Sequence, residues 1–179
     1  MVNSDHSQPR QACRLGESAT SGEESRRDAE GAKRLMPRWG EESRQKLAQV
    51  HPAIVRVLNV GIQRMDMTVV SGARVTGEQK ELFRKGLSKL DGVSRKSKHQ
   101  AAPMATAVDV VPYPMRWPDE HGLSDGEIQD RLRRFYVMGG FLVGIGEGIG
   151  VQLRWGGDWD MDWEYKDQTF DDLGHVEMV

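Results

Sequence analysis

The chain has 179 residues, 29% of them charged, and a formal net charge of −2. That balance points to neither nucleic acid nor a membrane surface as a partner. Cys13 is the only cysteine, which excludes an internal disulfide framework and a cysteine-based metal site; a bound metal would have to use His, Asp or Glu. No run of apolar residues is long enough for a membrane span, and Met1 to His6 carry no apolar signal segment, so the sequence predicts synthesis in the cytoplasm without membrane insertion.

Residues 1–38 are rich in Ser, Glu, Arg, Gly and Ala and nearly lack large apolar groups. They read as a disordered extension, because such a segment cannot bury enough surface to offset its ordering entropy; Met36 offers an alternative start. A single domain is expected over residues 39–179. A helix is predicted over Ser43 to His51, with Pro52 restarting the chain at a new helical N-terminus. Ile54, Val57, Leu58 and Ile62 then form one apolar stripe at helical spacing. Met67 to Val70 reads as a buried strand. Thr76-Gly77-Glu78-Gln79 reads as a capping box opening a helix that stops at Gly86. Residues 87–106 are polar and irregular. Ala107 to Tyr113 is a second strand. Ser124-Asp125-Gly126-Glu127 opens another helix through Ile128, Leu132, Phe135 and Met138, fraying in the glycines at 144, 146, 148 and 150. Val151 to Trp155 and His175 to Met178 are the last predicted strands. Helices and strands mix without regular βαβ alternation, which favours α+β with a small, mainly antiparallel sheet flanked by helices.

Asp109 interrupts an otherwise apolar strand, and a buried carboxylate is costly unless paired or metal-bound. An ion pair with one of the 25 Lys and Arg residues explains it as well as a metal does. His99 sits in a polar stretch, where a histidine is ordinarily solvated. His175 begins the final strand, and Asp172 lies three positions before it, across the turn at Leu173 and Gly174. Two histidines and a carboxylate can hold zinc with one position left for water, and a further carboxylate can serve as general base. Asp171 and Asp172 read equally as an ordinary acidic turn.

Ser71-Gly72-Ala73-Arg74 followed by Gln79 and Leu82, Ser97-x-His99 with Ala107-x-Asp109, Trp155-Gly156-Gly157-Asp158-Trp159, and Asp172-x-x-His175 occur in this order. Together with His51-Pro52 they resemble the zinc D-Ala-D-Ala carboxypeptidase and L-alanyl-D-glutamate endopeptidase family, in particular its phage endolysin-like branch. The likeness runs from about Lys46 onward. It implies a fold like that of the hedgehog and DD-peptidase domains, a Zn2+ ion on His99, Asp109 and His175, and Asp172 as general base. It also places Arg74 beside the metal, facing substrate or the developing oxyanion, with Ser97 and Gln79 on the substrate side as supporting residues. The ten-residue step from His99 to Asp109 is three longer than the family's, and His121 is the reserve ligand. Gly156, Gly157 and Trp159 read as turn and packing residues, while Tyr113, Trp117 and Trp163 are candidates for lining a glycan-peptide groove. The implied activity is a monomeric peptidase acting on the peptidoglycan stem peptide at L-Ala-D-Glu, as a phage or prophage lysin working on the cell wall. The alternatives are a D-Ala-D-Ala carboxypeptidase or dipeptidase, and an inactive wall-binding or virion module.

Overall fold

A computed structural model describes residues 37–164 and 166–179; most of the predicted extension 1–38 lies outside the described residues. The elements follow as α1 (Glu41–Leu47), α2 (Pro52–Gly61), β1 (Met67–Ser71), α3 (Thr76–Arg84), a 3-10 turn (Lys98–Gln100), β2 (Ala107–Pro112), α4 (Asp125–Gly148), β3 (Leu153–Trp155) and β4 (His175–Met178). The four strands form one sheet in the order β1-β2-β4-β3, with every pairing antiparallel. The expected α+β class is therefore observed.

Local chemistry accounts for most boundaries. Pro52 opens α2, and the His51 side chain accepts the Ala53 N–H at 3.2 Å, satisfying one of the free donors of the first turn. Ser124 caps α4, accepting from the Glu127 N–H, while the Glu127 carboxylate accepts from the Ser124 N–H. At α3 the residue assignment shifts by one. Val75 is the N-cap residue and Glu78 accepts its N–H at 3.2 Å, whereas Thr76 is already helical. Gly86 follows α3 with φ of +73°, the left-handed conformation that ends helices.

The predicted fraying of α4 is not observed: the helix runs on to Gly148. Its glycines instead permit close approach. A Cβ on Gly139 would lie 2.4 Å from the Trp155 ring, and one on Gly146 would lie 2.5 Å from the Val151 carbonyl. The apolar face of the sheet, with Val69, Val108, Val110, Leu153 and Val176, packs on Ile54, Leu58, Phe135, Met138 and Leu142 of α2 and α4. Because side chains alternate across a strand, Asp109 faces away from Val108 and Val110. Register places it opposite His175 on β4, and places Glu177 opposite Arg154 on β3. One face of the sheet thus carries the core, and the other gathers the charged residues.

Candidate metal centre and cleft

Three side-chain atoms converge on the polar face. His99 Nε2 lies 3.2 Å from Asp109 Oδ1 and 3.3 Å from His175 Nδ1, and His175 Nδ1 lies 3.1 Å from Asp109 Oδ1. Four-coordinate zinc with bonds of about 2.0–2.1 Å separates its ligand atoms by about 3.3 Å. The triangle therefore matches one face of such a tetrahedron, and two imidazoles with one carboxylate suit zinc among several divalent ions.

The chain fixes each of these groups from behind. The His99 Nδ1–H donates to the Gly72 carbonyl at 2.6 Å, leaving Nε2 as the lone-pair nitrogen. A Cβ on Gly72 would sit 2.5 Å from the Lys46 carbonyl, so that segment is packed against α1. The His175 Nε2–H donates to Glu177 Oε2 at 3.1 Å. Arg74 donates to the other Asp109 oxygen at 3.1 Å, to Gln79 at 2.9 Å and to Ser71 at 3.2 Å. Ser97 accepts the His99 N–H and caps the 3-10 turn. The sequence places His99 in a solvated loop, yet the structure leaves it only 2% exposed. That turn is pinned through hydrogen bonds from Thr106 N to the Lys98 carbonyl and from Arg74 N to the His99 carbonyl. The long step from His99 to Asp109 is taken up by a loop that docks through Ala105 on Gln49 and His51, so both ends still meet at the triangle.

Gln79 is fully buried and bonds to Arg74, Ser88 and Leu90. It holds Arg74 in place and presents no surface to a substrate. His121 is exposed and is not part of the cluster. No local pattern in the sequence marks Glu177 beyond the two-residue step from His175 along a strand, which puts both on one face. Its carboxylate also takes the Arg154 guanidinium, with Nε at 2.9 Å, and has Lys98 Nζ at 3.6 Å.

The triangle lies in a cleft of about 860 Å³ whose walls include Arg74, Ser97, Trp117, Trp159, Phe170 and Asp172. Tyr113 and Trp163 are not in its walls; Trp163 lines a separate, smaller pocket. The Trp159 ring lies 5.4 Å from that of His175 and stacks on Phe170. Gly156 and Gly157 are confirmed as packing positions, since a Cβ would lie 2.3 Å from the Asp172 carbonyl or from the Trp155 ring, respectively. Asp172 sits outside the ligand triangle. Burial, reinforced by the neighbouring Asp109 charge, raises its pKa above the ordinary carboxylate value, which makes it a stronger proton acceptor than an exposed aspartate.

Burial disfavours a charged His175, but its hydrogen bonds to Asp109 and Glu177 outweigh that and push its pKa up to about 9. Against the same burial penalty, hydrogen bonds from His175 and Arg154 bring Glu177 down to about 2. A cation taking the site displaces the His175 proton. Metal affinity is therefore expected to fall about tenfold for each pH unit below the folded His175 value. Competition titration with a chromophoric chelator between about pH 6 and 8 measures this, and a flat profile would contradict it. Without metal the sign reverses: protonated His175 contributes stability fully below the ordinary histidine pKa, and loses it as pH rises through about 9.

Residues 35–179 match the family model described as phage L-alanyl-D-glutamate peptidase. The L-alanyl-D-glutamate peptidase of Escherichia phage T5 is 30% identical over 149 residues, spanning 79% of this chain and 98% of that protein. Among solved structures, the Serratia marcescens L-Ala D-Glu endopeptidase ChiX superposes with a TM-score of 0.56 at 22% identity, over 82% of this chain and 94% of that one, a likeness in fold. With the match covering all of the described residues, the chain belongs to the phage L-alanyl-D-glutamate peptidase family.

Proposed function

We propose that this protein is a zinc-dependent peptidoglycan endopeptidase that cuts the L-Ala–D-Glu bond of the stem peptide, serving as a phage or prophage lysin on the cell wall. The observation that carries the reading is the triangle of His99, Asp109 and His175, set at tetrahedral spacing in a cleft that also contains Asp172. The names of the relatives supply the bond.

In this reading His99, Asp109 and His175 hold the ion. When bound, it supplies Lewis acidity to the scissile carbonyl and to the attacking water. Asp172 takes a proton from that water and returns it to the leaving amine. Arg74, locked between Asp109, Ser71 and Gln79, presents a fixed positive charge where negative charge grows on the carbonyl oxygen. Its tether means that the charge needs little reorientation during the reaction. Trp159 and Trp117 give the cleft apolar walls on which a peptide backbone can lie.

The test is mass spectrometry of fragments released from purified peptidoglycan, with and without a chelator. The expected products are peptides with a new D-Glu or D-isoGln N-terminus, lost on chelation and restored by zinc. Release of only a terminal D-Ala would move the protein to the carboxypeptidase reading. No release from several wall types, with zinc shown to be bound, would favour an inactive wall-binding module.

A further inference from the structure

The charges in the cleft do not cancel. Its walls hold three carboxylates, Asp109, Asp172 and Glu177, and five cations, Arg74, Lys89, Lys96, Lys98 and Arg154. Arg74 is committed to Asp109, and Arg154 and Lys98 are committed to Glu177. Lys89 and Lys96 remain. Neither forms an ion pair or a side-chain hydrogen bond among the described residues, and both are exposed. Lys89 Nζ lies 4.3 Å from the Phe170 ring centre, so its ammonium is placed over one wall. Lys96 immediately precedes Ser97, the cap of the turn that carries His99, so its backbone is fixed close to the triangle. The segment between them is braced by Asp91, which accepts the Val93 and Arg95 N–H groups at 2.9 Å, and by Arg95, which donates to the Lys89 carbonyl at 2.8 Å. Two lysines on a braced segment thus line the cleft without an acidic partner among the described residues and offer positive charge to an anion.

Resting on the function proposed above, we infer that Lys89 and Lys96 bind a free carboxylate of the stem peptide, namely that of the D-Glu residue on the amine side of the scissile bond. In an L-Ala–D-Glu linkage the carbon bearing the scissile nitrogen also bears a carboxyl group when the chain continues through the side-chain carboxyl. Whatever positions the bond at the triangle therefore brings that carboxylate to the adjacent wall. Amidation to D-isoGln removes its charge and leaves its shape, so the lysines discriminate between wall types that differ in this one group. The diaminopimelate residue of some walls offers a second carboxylate farther along the peptide, and the test separates the two.

The experiment compares kcat/KM on two synthetic peptides, L-Ala-γ-D-Glu-L-Lys and L-Ala-γ-D-isoGln-L-Lys, for the zinc-loaded wild-type enzyme and for Lys89→Gln, Lys96→Gln and the double variant. An ion pair of this exposure contributes about 1.5- to 5-fold. The wild type should favour the D-Glu peptide, chiefly through KM, and each substitution should reduce that ratio by about 1.5- to 5-fold. In the double variant the ratio should approach one. Circular dichroism and zinc content establish that the variants are folded and loaded. Equal kcat/KM of the wild type on both peptides, or a loss in the variants that falls equally on both, would overturn the inference while leaving the peptidase assignment standing. A third peptide, with D-isoGln followed by diaminopimelate, tests the other source: a preference that follows diaminopimelate and disappears in the variants would overturn the assignment to D-Glu. Cleavage of none of the three would instead count against the function proposed above.

Discussion

Asp172→Asn is expected to cut hydrolysis by about 10²–10⁴-fold, the range for removing a general base, while the protein keeps its metal. The geometry separates the two properties. The turn at Asp172 is held by main-chain bonds, from Asp172 N to the Gly156 carbonyl at 2.7 Å and from His175 N to the Asp172 carbonyl at 2.9 Å. The side chain makes no hydrogen bond among the described residues and is not part of the ligand triangle. Asparagine has the same shape, so it preserves the turn and the three ligands. It also removes a half-buried negative charge that lies near Asp109, so thermal stability should hold or rise slightly. Peptide-release kinetics alongside metal analysis provide the measurement. An Asp172→Asn protein that keeps its activity would remove this residue from the role of base. One that loses both activity and metal would show that the carboxylate is needed for the ion.

Glu177→Ala should weaken metal binding by about 10–100-fold, the effect typical of removing the partner of a ligating histidine. Glu177 is 5% exposed and takes the His175 Nε2–H on one oxygen and Arg154 on the other. Without it, His175 can rotate and the tautomer that exposes Nδ1 is no longer selected. Arg154 also loses its partner in a partly buried place, a cost of about 1–3 kcal/mol to the fold. Glu177→Gln separates the two effects, because its carbonyl oxygen can still accept from His175 while the charge on Arg154 goes unanswered. Affinity measured on protein shown to be folded should rank wild type above Gln and Gln above Ala. Equal affinities for wild type and Ala would mean that packing against Trp159 alone orients His175.

The contrast between Glu177 and His175 shows what sequence can reveal. Asp109 was legible because it interrupts an apolar strand, and His175 and Asp172 because they fall within a segment resembling a known family. Glu177 breaks nothing: an acidic residue on a short strand near an exposed Val179 reads as surface. Only the register β2-β4-β3, which sets Arg154 beside it, reveals a partly buried ion pair. His99 was legible by motif but not by environment, since burial of a polar loop depends on contacts made from Gly72 and Arg74, far away in sequence. Local propensity takes the glycines at 144, 146, 148 and 150 as a weakening helix; the helix nonetheless runs to Gly148, and of these four only Gly146 is closely packed, against Leu153 and the Val151 carbonyl of the segment that follows. The boundaries set by capping and proline needed no tertiary information, and they came out within a residue or two.

The triangle joins three distant stretches of chain: the turn at His99, the middle strand with Asp109, and the last strand with His175, with Gly72 held through His99. An ion there is a cross-link as well as a reagent. Because it binds only the assembled arrangement, mass action adds RT ln(1 + [M]/Kd) to the unfolding free energy, about 4 kcal/mol at a thousandfold excess over Kd. If the proposed function holds, the durability of the enzyme would follow the metal supply of the compartment it occupies, and a chelating environment would lower its stability as well as its activity.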